Sequence, residues 1–201
     1  MGIDQNLYTN FNFSIYNSHS DLEKNQNKTE INKIHDNGVY LDNTKSGLSI
    51  IYRLKEKPAK PLSSNYLIVF DQIEKLFNGK PAPFDIFNLT DFSNHFDVIK
   101  QLKRLNRQNI GIEVKVKDIQ NSLYSHDVGR WIRCIQDIYK FCKLSDNQFI
   151  LSSGTNSKYG LISDIGLESM LKVCEVDPKK YWKDLEKWLE IKKKVYYDVT
   201  S

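Results

Sequence analysis

The chain has 201 residues, 40% of them hydrophobic, enough for one sizeable core and too few for two, so a single domain over residues 1–201 is expected. No apolar run approaches the ~20 residues of a membrane span, and the N-terminus lacks a basic segment followed by an apolar one. A cytoplasmic chain with neither transmembrane helix nor signal peptide, and no membrane partner, is therefore expected. With 29 Lys and Arg against 25 Asp and Glu, the net charge of +4 and pI of about 8.8 admit a nucleic-acid partner without arguing for one unaided.

In chain order, Asn10 to Tyr16 alternates Phe11, Phe13 and Ile15, the period of a half-buried strand. Ser20 and Glu23 form a capping box for a weakly anchored helix with Leu22, Ile31 and Ile34, closed by Asn37-Gly38. Gly38 to Leu41 and Gly47 to Leu54 read as short strands, and the Pro- and Lys-rich Lys55 to Ser64 as an exposed loop. Tyr66 to Phe70, YLIVF, is continuously apolar, the mark of a strand covered on both faces, with Asp71 placed to cap a helix carrying Ile73, Leu76 and Phe77. Phe84 to Leu89 is the next strand. The helix expected from His95 to Arg107 buries Val98, Ile99, Leu102 and Leu105. It sets Lys100, Lys103, Arg104 and Arg107 along one side as a basic stripe, a geometry that suits a phosphate backbone.

Ile110 to Val116, IGIEVKV, alternates Ile110, Ile112, Val114 and Val116 against Gly111, Glu113 and Lys115. In a barrel of parallel strands the polar side points inward, and Glu113 then needs a partner, for which Lys115 and Arg130 are the candidates. Arg130 heads a periodic helix to Lys143 with Ile132, Ile135, Ile138, Tyr139 and Cys142 on its apolar face. That helix leads into Gln148 to Gly154, QFILSSG, where a strand ends in two serines and a glycine; such a small-residue turn lets backbone approach a ligand. Ser163 is the expected cap of a helix bearing Leu167, Met170, Leu171 and Cys174. Asp177-Pro178 starts a last helix with Tyr181, Leu185, Trp188 and Leu189 as its stripe. Around it lie Lys179, Lys180, Lys183, Lys187 and Lys192-Lys193-Lys194. These interleave with Trp182, Trp188, Tyr196 and Tyr197, which serve either to stack on RNA or as the underside of a docking helix. The three cysteines, Cys134, Cys142 and Cys174, fall on apolar helix faces without CxxC spacing and read as buried thiols. Alternating strands and helices joined by right-handed crossovers yield an α/β fold on a parallel sheet, open or closed into a barrel trimmed below the usual ~250 residues.

The order of Phe84-Asp85, a basic helix, Glu113 within an apolar strand, an Arg130 helix and Ser152-Ser153-Gly154 resembles the archaeal ribonuclease P protein component 3 family, kin to a eukaryotic subunit of the same ribonucleoprotein. The resemblance runs from Tyr66 to the C-terminus; before it the match is positional. It implies an irregular TIM-barrel-like fold and a subunit without a catalytic site. Such a subunit pairs with another protein subunit as a heterotetramer and supports an RNA that removes the 5′ leader of precursor tRNA with Mg²⁺ held by the RNA. With that role, the candidate RNA contacts are the cations Lys100, Lys103, Arg104, Arg107, Arg130 and Lys192 to Lys194, and Asp85, Glu113, Ser152, Ser153 and Gly154 are the positions that match the family's motifs. An Arg that the family carries after the double serine stands here as Ile162, leaving Lys158 as the candidate to supply its contact.

Two rival readings accompany it. The family's barrel resembles that of metal-dependent phosphoesterases, and His19 and Asp21 follow the first strand as those enzymes' ligands do. Yet His35, His95 and His126 form no pair at ligand spacing. The other rival is a scaffold that touches only its protein partner.

Overall fold

The computed structural model describes residues 34–42, 47–54, 66–78, 83–120, 126–154, 162 and 164–197. The fold is α/β. Six strands, β1 (Ile34–Asp42), β2 (Gly47–Leu54), β3 (Tyr66–Phe70), β4 (Ile86–Asn88), β5 (Gly111–Lys115) and β6 (Gln148–Ser152), lie side by side in sequence order. From β2 onward every neighbour is parallel. β1 and β2 are antiparallel, so β1 joins a parallel sheet as an antiparallel edge strand. β1 corrects the helix assigned through Ile34 and Asn37-Gly38: Asn37 faces Tyr52 and Gly38 faces Ile51 in the ladder. Here tertiary pairing overrides a helix-ending signal carried by two residues. The strand expected at Asn10 to Tyr16, the loop before Tyr66 and the cap Ser163 lie outside the described residues.

Between the strands run α1 (Ile73–Asn78), a 3-10 turn (Phe92–Asn94), α2 (His95–Arg104), α3 (Val116–Gln120), α4 (His126–Leu144), α5 (Asp164–Val173) and α6 (Pro178–Tyr197). Three differ from the sequence reading. α2 stops at Arg104 because Asn106 turns left-handed, with φ 49°, and the N–H of Arg107 then bonds the carbonyl of Leu102, so Arg107 sits on the turn. α4 begins one turn before Arg130, at His126. Val116 opens the short α3 instead of ending β5.

Register assigns each strand residue to a face. Phe87, Ile112 and Phe149 are aligned, and Phe149 meets the Tyr139 ring of α4 edge-on at 6.0 Å, so these residues share the helix side. α4 packs on β5 and β6 and against α2; Val98, Leu102, Ile135, Ile138 and Cys142 are buried in the core. The opposite face carries Ile86, Asn88, Gly111, Glu113 and Ile150, by the same register.

α6 joins the two faces at the edge of the sheet. Asp177 caps it through the N–H of Lys179 (3.0 Å), as the Asp-Pro signal requires. Its first turn lays Tyr181 beside Phe149 on the helix side, where the buried N–H of Leu151, on the outer edge of β6, donates to the Tyr181 hydroxyl (2.9 Å). Two turns on, Trp188 lies on the other face: a Cβ on Gly111 would stand 2.5 Å from Ile150 and 3.2 Å from the Trp188 ring. Glycine is what lets the indole reach the sheet. Trp188 also donates from Nε1 to the carbonyl of Asn109 (3.3 Å), below the start of β5. An exposed sheet edge is thereby covered by a helix. None of the described helices is long and apolar enough to cross a membrane.

Candidate functional site

Parallel strands deliver their side chains and loops together at their carboxyl ends, where α/β proteins gather binding groups. Here β4, β5 and β6 deliver Asn88, Glu113 and Ser152 at that end of the face opposite α2 and α4. Glu113 is fully buried, and the Ser152 hydroxyl donates to its Oε1 at 2.5 Å. A short charge-assisted hydrogen bond of this kind offsets much of the cost of burying a carboxylate. Neighbouring Asn88 is also buried, and its Oδ1 is the one buried side-chain oxygen or nitrogen among the described residues without a hydrogen-bond partner.

The loops above complete the group. Ser153 is buried, and its carbonyl accepts from the N–H of Lys117 (3.0 Å), tying the end of β6 to α3. Gly154 has φ 67°, and a Cβ there would stand 2.8 Å from the Lys115 side chain, so the small-residue turn is a packing requirement as well as a conformational one. Asp91 accepts from the backbone and hydroxyl of Ser93 and from the Asn94 amide, and caps the 3-10 turn. Burial pushes the Asp118 carboxyl up to about 6; Lys115 and Lys117 oppose the rise, and Glu113 and Asp91 reinforce it. Chemically, the cluster offers one open acceptor and one carboxyl that exchanges a proton near neutral pH. Among the described residues no three or more His, Cys, Asp or Glu are grouped so as to hold a metal ion.

The structure divides the motif positions between two ends. Glu113, Ser152, Ser153 and Gly154 come together, but Asp85 precedes β4 and lies at the amino end. There it accepts from the N–H of Ile68 (2.8 Å) and pairs with Lys192 at 3.2 Å. Lys192 is correspondingly drawn inward, its ammonium also 5.7 Å from the Trp188 ring. Arg130 does not serve Glu113: it is exposed and lies 3.6 Å from Asp127. Trp182 and Trp188 are buried, so they form the underside of a docking helix and are not stacking platforms. Lys158 lies outside the described residues, as do the side chains of Lys193, Lys194, Tyr196 and Tyr197. Of the basic stripe, Lys100, Lys103 and Arg104 are exposed, while Arg107 lies over the Phe84 ring at 5.1 Å.

His95 is buried. Its Nδ1 lies 2.8 Å from the Phe92 carbonyl and its Nε2 3.1 Å from the Asp137 carboxylate. It fastens the start of α2 to α4. The thiols are free and buried as expected; burial raises all three, Cys174 to about 11. Sequence reasoning missed Asn88, Asp91 and Asp118. Only Asn88 carried a signal, as a polar residue in the last position of an apolar strand.

No family model matches the chain, and neither a curated protein nor a solved structure matches it.

Proposed function

We propose that the chain is a protein subunit of ribonuclease P. In this reading it binds the ribonuclease P RNA and another protein subunit within a heterotetramer, and it supports RNA-catalysed removal of the 5′ leader from precursor tRNA. The holoenzyme is the endoribonuclease; Mg²⁺ belongs to the RNA. The observation that carries the reading is the disposition of the motif carboxylates. Glu113 takes the Ser152 hydroxyl, and Asp85 takes Lys192 and the Ile68 N–H, so both hold the fold together. An architectural job for each acid, with exposed cations elsewhere, suits a subunit whose contribution is electrostatic: Lys and Arg neutralise RNA phosphates and lower the Mg²⁺ that the folded RNA needs.

The fold proposed with it is an irregular, trimmed TIM-like barrel. Strands in sequential order joined by right-handed crossovers place every crossover helix on one face, as in singly wound barrels, and leave the polar groups on the inner face. α6 covers the edge of β6 where a full barrel sets a further strand.

The test is recovery of the tagged chain from its own cells under native conditions, with sequencing of the bound RNA. Enrichment of ribonuclease P RNA together with a second protein is expected. Recovery free of that RNA, from cells whose ribonuclease P is intact, overturns the reading.

A further inference from the structure

We infer that the chain meets RNA with the amino end of its parallel sheet, through a cationic rim built by the last turns of α2 and α4 and the loops that follow them. The inference rests on the ribonuclease P reading and adds to it the surface and the ligand chemistry, namely phosphates of a folded RNA. α2 ends in Lys103 and Arg104 and α4 in Lys143, all exposed, and the turn after α2 adds Arg107. Because α2 and α4 both run back from the carboxyl to the amino end of the strands, these four cations gather at one end of the molecule.

Cations at helix carboxyl termini complement the helix dipole, which by itself accounts for Lys103, Arg104 and Lys143. It does not account for Arg107, which lies beyond the helix, nor for how the group is held. Lys103 lies 5.6 Å from the centre of the Phe141 ring, Arg107 5.1 Å from Phe84 and Lys143 4.7 Å from Tyr139. Long cationic side chains laid on aromatic rings have less freedom to lose when they meet a phosphate.

The loops beneath them are joined. The N–H of Asn109 donates to the Asp146 carbonyl (2.9 Å). Asn147 accepts from the N–H of Ile110 (3.0 Å) and donates to the carbonyl of Arg107 (3.1 Å). The α2–β5 and α4–β6 connections thus form one rigid ledge. Among the described residues the rim's acidic neighbours include Asp177 and Asp184, which act on the Tyr139 ring beneath Lys143 and are opposed there by Lys180. Asp146 is exposed on the ledge, and Asp85 is neutralised from within by Lys192. The carboxyl end instead presents Asp91, Asp97, Asp118 and Asp127 among Lys115, Lys117 and Arg130, a mixed field that repels a polyanion more than the rim does.

The experiment compares the full chain with two charge-matched triple variants for binding to the ribonuclease P RNA of the same organism, as a function of KCl. One carries Lys103→Gln, Arg104→Gln and Lys143→Gln. The other carries Lys117→Gln, Arg133→Gln and Lys172→Gln, exposed or partly exposed cations away from the rim. Heparin, as competitor, separates RNA-shaped binding from general polyanion binding. The rim variant is expected to lose at least about tenfold in affinity and to flatten the log–log salt slope by about 2–3, one phosphate contact per cation. The second variant should keep most of the wild-type slope.

Equal losses in the two variants, or a loss confined to the second, overturn the inference while leaving the ribonuclease P reading in place. A wild-type chain that does not prefer the RNA to heparin sinks both. Acetylation of lysines on the unaltered chain, bound and free, gives the same answer without a folding question. Protection of Lys103 and Lys143 with labelling of Lys172 supports the rim, and the reverse pattern contradicts it.

Discussion

The two ends of the parallel sheet solve opposite problems. At the carboxyl end, polar groups are drawn inside: Glu113 takes the Ser152 hydroxyl and the Ser153 carbonyl takes the Lys117 N–H, while the Asn88 Oδ1 is left open. At the amino end one pair, Asp85 with Lys192, is taken inside under Trp188, while Lys103, Arg107 and Lys143 are laid on aromatic rings and Arg104 is exposed. The difference teaches that a likeness in strand motifs says little about where a partner binds. The motif acids maintain the framework, and the surface that distinguishes this molecule lies at the other end from the loops that α/β enzymes use.

The sharpest way to break this comparison is at the closure of the amino end. Trp188→Ala removes the indole that fills the space beside Gly111 and Ile150, and should cost about 3–5 kcal/mol in urea denaturation. A loss below about 1 kcal/mol would mean that α6 does not seal this end. Lys192→Ala removes the cation 3.2 Å from the buried Asp85 carboxylate and should cost up to about 3 kcal/mol. If Lys192 is instead free to meet RNA, stability stays put and RNA affinity falls.

At the carboxyl end, Ser152→Ala takes a donor from a fully buried carboxylate, for an expected loss of about 1–3 kcal/mol in thermal or urea unfolding. Restoration by Ser152→Thr, which keeps the hydroxyl, would tie the loss to that bond. The smallest effect expected is that of Asp118→Asn, and it carries a sign. Burial raises this carboxyl from 3.8 to about 6 in the folded chain, so its favourable contribution is complete below 3.8 and lost as pH rises through about 6. The variant should therefore match wild type below 3.8 and exceed it above 6 by about 1 kcal/mol, discounted for partial exposure. A variant equally stable with wild type at both pH values would place Asp118 in water.

Much of the parallel sheet was legible because its strands are short apolar runs bounded by turn residues. YLIVF and QFILS fall where β3 and β6 fall, and the Asp177-Pro178 start of α6 is a two-residue signal with a direct mechanical cause. What escaped was set by contacts distant in sequence or by single residues. Asn37-Gly38 ends helices in many chains, yet here the partner strand decides. The turns that close α2, α4 and α5 put Asn106, Asp146 and Glu175 at positive φ, and none is a glycine. The five residues of α3 are too few to show a period. Of the candidate site, Glu113 and the double serine were readable from alternation and composition. The Asp85–Lys192 pair was not, because nothing local to either residue points to the other. Nor was the seating of cations on Phe84, Phe141 and Tyr139, which depends on how α2, α4 and the strands pack.

The central claim is the role in tRNA maturation, and the most direct measurement is cleavage of precursor tRNA at low Mg²⁺ by the cognate ribonuclease P RNA. The RNA is reconstituted with its other protein subunits, with and without this chain. The account predicts that 5′-leader cleavage falls on omission, returns on addition of the wild-type chain, and returns only at raised Mg²⁺ with the Lys103, Arg104 and Lys143 triple variant. Full cleavage without the chain, in a correctly assembled control, would contradict it.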